Sequence, residues 1–90
     1  MTDDQVPVRV DLFMVERLDD DLLLYHPTKT LTVRLNESAS AIWDLCDSRR
    51  SVAEMAAVLR EAFPDDGDAV VGDMKAALAR FEHHGAIRFV

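Results

Sequence analysis

Apolar and polar positions alternate in the first third of the chain, and then the period changes. Val8, Val10, Leu12 and Met14 are apolar, with Arg9 and Asp11 between them. A two-residue repeat turns one face of a strand toward a core, so the pattern predicts a first strand over residues 8–14. Asp19-Asp20-Asp21 marks a turn, because aspartate side chains bond the nearby backbone and stabilise chain reversals. Leu22 to Tyr25 is an apolar run of strand length. Pro27-Thr28-Lys29 supplies a second turn, with proline suited to its second position. Alternation resumes over residues 30–35, with Leu31, Val33 and Leu35 on one side and Thr30, Thr32 and Arg34 on the other. Short connections between successive strands imply an antiparallel meander of three.

From Asn36 the period is near 3.6, the repeat of an α-helix. Asn36 is a good N-cap, and Glu37 in the first turn suits the helix dipole. Ala39, Ile42, Trp43 and Cys46 form the apolar stripe of a first helix. Ser51-Val52-Ala53-Glu54 fits a capping box, and Val52, Met55, Ala56, Leu59 and Phe63 line one face of a second. Pro64-Asp65-Asp66-Gly67-Asp68 ends that helix and supplies caps for the next. A third is predicted from about Asp68 to His84, with Val71, Met74, Leu78 and Phe81 as its core stripe and Gly85 as the residue that stops it. Ile87 to Val90 reads as an extended tail, or a last short strand. The fold class that follows is α+β and winged helix-turn-helix-like, a three-stranded antiparallel sheet followed by three helices.

Composition narrows the function. Ninety residues make one domain, 1–90, with enough chain for a single core and little to wall off a deep pocket. Acidic residues outnumber basic ones by 17 to 10, for a formal charge of −7. Such a balance repels nucleic-acid phosphates and anionic membranes. It also opposes reading the third helix as a DNA-recognition helix, where Asp68, Asp73 and Glu82 outnumber Lys75 and Arg80. The lone cysteine, Cys46, has no internal disulfide partner, and the N-terminus lacks the basic and apolar regions of a secretory signal. A cytoplasmic protein is the expectation. Cys46, His26, His83 and His84 have no metal-ligand spacing, and the aspartate clusters lack the closing glutamate of a calcium loop. Without a phosphate-cradling glycine loop or a nucleophile elbow, no catalytic residue, metal or cofactor is expected.

Several short segments together resemble the PqqD-like family. They are Leu23-Leu24-Tyr25-His26-Pro27, Val33-Arg34-Leu35-Asn36-Glu37-Ser38-Ala39, Ile42-Trp43-Asp44-Leu45-Cys46-Asp47, Ser51-Val52-Ala53-Glu54-Met55-Ala56 and the closing His84-Gly85-Ala86-Ile87. Their order and spacing agree over about residues 8–88. One departure is Lys29-Thr30, where many members carry a glycine in the hairpin turn. The resemblance implies a non-catalytic leader-peptide recognition element, or peptide-modification chaperone; the sequence is compatible with a monomer or homodimer alike. Such proteins bind the leader of a ribosomally made precursor and present it to a modifying enzyme, often a radical-SAM protein. The family's named case acts in synthesis of pyrroloquinoline quinone. A docking or stability subunit of a modifying enzyme is the alternative of a different class.

Recognition by strand addition needs an open edge, and the third strand should provide one, because the chain leaves it directly into a helix. The expected peptide-binding residues are therefore Thr30, Leu31, Thr32, Val33, Arg34 and Leu35 on the strand. Facing them across a cleft, the third helix would contribute Val70, Met74, Lys75, Ala77, Leu78 and Phe81. Met74, Leu78 and Phe81 at helical spacing fit a core stripe as well as they fit a cleft wall. Lys29, Arg34, Lys75 and Arg80 would steer an acidic leader toward that site. Gly72 invites a reading as a point of close backbone approach, against the plainer one of a tolerated helix position.

Overall fold

The computed structural model describes residues 1–90. The chain forms β1 (Pro7–Arg9), β2 (Met14–Leu18), β3 (Asp21–Tyr25), β4 (Thr32–Leu35), α1 (Glu37–Leu45), α2 (Val52–Ala62), α3 (Gly67–His83) and β5 (Ile87–Phe89). β2, β3 and β4 make the antiparallel meander, in that order across the sheet, and the three helices follow it. The α+β expectation holds, with a second sheet added. β1 pairs antiparallel with β5, Val8 opposite Arg88, and ties the two ends of the chain together.

The first strand is the main correction. Residues 8–14 are not one strand: Pro7–Arg9 belongs to the terminal pair, a turn follows, and the meander's first strand is Met14–Leu18. The alternation from Val8 to Met14 spans two elements, and Leu12 and Met14 at its end are exposed. Periodicity cannot find β2, because all five of its residues are exposed and no face of it is buried. The turn between β2 and β3 is Asp19-Asp20, shorter than the aspartate triplet, since Asp21 already pairs with Leu18. Asp19 adopts a positive φ of 53°, a left-handed conformation that aspartate tolerates better than most residues.

The start signals of α1 and α2 act as the sequence predicts, whereas at α3 the N-cap residue Asp66 makes no side-chain capping hydrogen bond. Asn36 Oδ1 accepts the Ala39 N–H at 2.9 Å. Ser51 and Glu54 form both halves of a capping box, at 3.1 and 3.0 Å. The Ser51 N–H, by donating to the Glu54 carboxylate, holds that group below its ordinary value. Asp47 is held down in the same way, first by the Arg49 N–H. Gly85, at φ 74°, stops α3: its N–H donates to Glu82 O, and the Ala86 N–H donates to Phe81 O. α1 lacks a basic residue in its last turn, and Arg9 of β1 supplies one from outside, donating to Trp43 O at 2.6 Å with its guanidinium over the indole ring.

One contiguous core of 19 buried apolar residues joins the inner face of β3 and β4 to the three helices. Trp43 and Phe81 meet edge to face at 5.4 Å and lock α1 to α3. Phe63 departs from expectation. It sits at the C-cap of α2 rather than inside its buried stripe, and is 49% exposed. Gly72 has only open space where a Cβ would stand, so no backbone approaches there. No helix is long and apolar enough to cross a membrane.

Candidate functional site: an open strand edge beside a groove on α3

β4 is an edge strand whose inner side is fixed by the core. Val33 is 7% exposed and Leu35 is fully buried, while Thr32 and Arg34 face solvent. Register decides which backbone groups are free. The His26 N–H donates to Leu31 O at 3.0 Å, so residue 31 directs its backbone toward β3. Backbone groups alternate in direction along a strand, so Val33 and Leu35, opposite Leu24 and Leu22, do the same. The N–H and C=O groups of Thr32 and Arg34 therefore point away from the sheet, toward no other strand. Their spacing is that of an antiparallel or parallel partner still to be added.

A groove of about 280 Å³ opens where β4 ends. Asn36, Ser38, Ala39 and Ile42, at and after the start of α1, form one wall; Asp73, Ala76, Ala77 and Arg80 of α3 form the other. The α3 wall recurs every three to four residues, so it is one helical face, rotated away from the core stripe. Two adjacent alanines keep that wall low. The α1 wall is fixed from within, because Ser38 Oγ donates to Asn36 Oδ1 at 3.2 Å and the buried Ser40 Oγ donates to Leu35 O at 3.1 Å.

The expected site residues divide among several places. Thr32 and Arg34 carry the free ladder, and Val33 and Leu35 anchor it from the core side. Leu31 lies just before β4 and is half-buried, whereas Thr30 lies in the preceding turn. That turn is organised by His26, whose Nδ1 accepts the N–H groups of Thr28 and Lys29. Ala77 lines the groove. Val70 lies two turns before it on α3, in an adjoining apolar pocket. Met74, Leu78 and Phe81 do not reach the groove: they are buried in the core at 1% exposure or less, as the stripe reading allowed. Lys75 lies on another side of α3, 3.7 Å from Asp3.

The proposed cluster of four cations is likewise dispersed. Arg34 pairs with Asp21 at 2.9 Å, Lys75 faces Asp3, and Lys29 lies in the turn. Arg80 alone of the four lines the groove, without an ion-pair partner and with Asp73 two turns away on the same wall. Sequence reasoning missed Asn36, Ser38, Ala39, Ile42, Asp73 and Ala76. A signal for the α3 members existed: once Val71, Met74, Leu78 and Phe81 set the inward direction, Asp73, Ala76 and Arg80 must share a different face.

Cys46 is buried, its thiol donates to Ile42 O, and burial pushes its pKa up to about 12. It stays protonated at neutral pH and is not an activated nucleophile. No three His, Cys, Asp or Glu side chains converge as a metal site would require.

With this geometry in place, comparison with known proteins gives a consistent answer. A protein of Pseudomonas paraeruginosa described as a PqqA binding protein is 44% identical over 64 residues, covering 69% of this chain and 67% of that one. A PqqA binding protein of Klebsiella pneumoniae is 53% identical over 34 residues, 38% of this chain and 37% of that protein. The solved structure described as "TbiB1 in Complex with the TbiA(beta) Leader Peptide" superposes with a TM-score of 0.76 over 90% of this chain and 94% of that one. At 18% identity that likeness establishes the fold. Residues 21–87, which include β4 and both walls of the groove, match the family described as Coenzyme PQQ synthesis protein D (PqqD). The chain belongs to the PqqD family.

Proposed function

We propose that this chain binds the leader segment of a ribosomally made precursor peptide as an added strand along β4, and presents it to a modifying enzyme such as a radical-SAM protein. The observation that carries this reading is the outward ladder of Thr32 and Arg34, held open by Val33 and Leu35 in the core and ending at the α1–α3 groove. Main-chain hydrogen bonds to that ladder give affinity whatever the peptide's sequence, and alternate side chains entering the groove give selectivity. The PqqA-binding relatives support a peptide as the ligand. In this reading residues 1–90 act as one cytoplasmic, non-catalytic recognition unit. The chemistry is the partner enzyme's, and the chain's part is to lower the entropic cost of bringing the substrate to it.

The test is an NMR titration of the ¹⁵N-labelled chain with synthetic PqqA of Pseudomonas paraeruginosa. The largest shifts are expected at residues 32–35 and at Asp73, Ala76, Ala77 and Arg80. Absence of binding, or shifts confined to helical surface away from β4 and the groove, would defeat the reading. The second outcome would point to a docking subunit instead.

A further inference from the structure

A second cavity adjoins the groove and has a different character. It measures about 210 Å³, lies among α1, α2 and α3, and is walled by Ala41, Ile42, Leu59, Phe63 and Val70. Ser38 and Asp73 stand on its border, and together with Ile42 they line the groove as well, so the two spaces are immediate neighbours. We infer that this pocket is a second subsite for the same peptide, taking one large apolar side chain of the leader. The inference rests on the peptide-binding reading above and adds to it a rule of sequence selectivity.

Three observations select that occupant. Size is the first: pockets for whole small-molecule ligands run from about 300 Å³ upward, whereas an apolar cavity of about 150 Å³ accepts a benzene ring. A single aromatic or branched aliphatic side chain is the group that fits. Composition is the second, because the lining is apolar apart from Ser38 and Asp73 at the border with the groove. Phe63 completes the wall from the C-cap of α2, half in water, and an entering side chain would cover it. Spacing is the third. Along α3 the groove centres near residues 76–77 and the pocket near residues 71–72, about five positions or roughly 7 Å apart. That distance matches two side chains on the same face of an extended strand, which stand about 6.6 Å apart. A strand following α3 would therefore place residue i in the groove and residue i+2 in the pocket.

A double-mutant cycle tests this with synthetic PqqA of Pseudomonas paraeruginosa and versions in which each large apolar residue is replaced by alanine. Ala41→Phe fills the pocket from an exposed position of α1 and leaves β4 and Arg80 unchanged. Binding should weaken about 10- to 100-fold, the scale of one large apolar side chain, with the shifts at residues 32–35 retained at saturation. One peptide alanine variant should lose a similar factor against the unmodified chain and less than about twofold against Ala41→Phe. Phe63→Ala, which removes a wall, should weaken the same contact, and it serves as the second variant should Ala41→Phe lower the urea midpoint. Unchanged affinity in both variants, with the shifts on β4 present, overturns the pocket and leaves the peptide reading standing. Absence of those shifts with the unmodified chain overturns both.

Discussion

The two edges of the meander are both open, yet they differ in everything behind them. On β2, Met14, Glu16 and Leu18 pair with Tyr25, Leu23 and Asp21, which leaves Val15 and Arg17 to direct their backbone groups outward. On β4 the outward positions are Thr32 and Arg34. Val15 and Arg17 lie on the helix-facing side of the sheet, opposite Leu24 and Leu22, but α1 packs its core face on β3 and β4 and meets β2 through the exposed Arg17–Asp44 ion pair at 3.2 Å. Val15 is therefore 49% exposed, whereas its counterpart Val33 on β4 is 7% exposed. An unpaired ladder is common to both edges and predicts nothing by itself. What separates them is anchorage and neighbourhood: β4 is immobilised by core side chains and runs into a groove, and β2 overhangs solvent. A guest strand on β4 needs little further ordering of its host and gains side-chain contacts that β2 cannot offer.

Anchorage gives the largest contrast. Leu35→Ala should cost about 2–5 kcal/mol of folding stability, because it empties a fully buried site among α1, β3 and the core. Val15→Ala should stay within about 0.5 kcal/mol, as exposed substitutions do. Urea denaturation measures both, and comparable losses would remove the distinction between the strands.

Peptide binding should show the next largest contrast. Thr32→Pro deletes an outward N–H without breaking a bond to β3, and proline is tolerated at such edge positions. It should weaken PqqA binding at least tenfold, about 1.4 kcal/mol, with the urea midpoint nearly unchanged. Val15→Pro makes the equivalent change on β2 and should leave binding within about twofold. The reverse ranking, read by isothermal titration calorimetry, would move the site to the other edge.

The same contrast explains what was legible in the sequence. β4, α1 and the core stripe of α3 bury one side, so Val33, Leu35, Ile42, Trp43, Met74 and Phe81 declare themselves by period. Capping residues such as Asn36, Ser51 and Gly85 act through local hydrogen bonds and are equally readable. β2 buries neither face and leaves no periodic trace, and the β1–β5 pair joins residues at opposite ends of the chain. The groove was hidden for another reason. Apart from Ala77, its α3 wall is made of Asp73, Ala76 and Arg80, small or charged residues indistinguishable in sequence from an ordinary solvated face, until α1 is placed opposite them.

Gly72 offers a way to stiffen the helix behind the groove without touching the site. It lies inside α3, exposed, and a methyl group added there would meet only open space. Gly72→Ala should raise stability by about 1 kcal/mol, since glycine is that much poorer than alanine inside a helix. PqqA affinity should stay within about twofold, because neither the ladder nor the groove wall changes. A large change in affinity would mean that peptide binding draws on flexibility in α3, and that β4 is not the only part of the site whose order matters.

The smallest effect expected is at Arg34, and it separates backbone from side chain at the open edge. The Arg34 guanidinium reaches across the outer face to Asp21, away from the core, with the arginine side chain 70% exposed. Exposed pairs of this kind contribute about 0–1 kcal/mol, so Arg34→Gln should cost under about 1 kcal/mol in a urea melt. If the peptide is held through main-chain groups, the substitution leaves the Arg34 N–H and C=O in place and affinity should fall less than about threefold at moderate salt. The side chain then acts as a guard, a charge that discourages indiscriminate strand pairing while leaving the backbone free for a guest. Faster aggregation of Arg34→Gln on storage, followed by light scattering with PqqA affinity retained, is the expected signature. A loss matching that of Thr32→Pro would instead make the guanidinium a direct contact to the peptide, and β4 would owe its selectivity to charge as well as to its ladder.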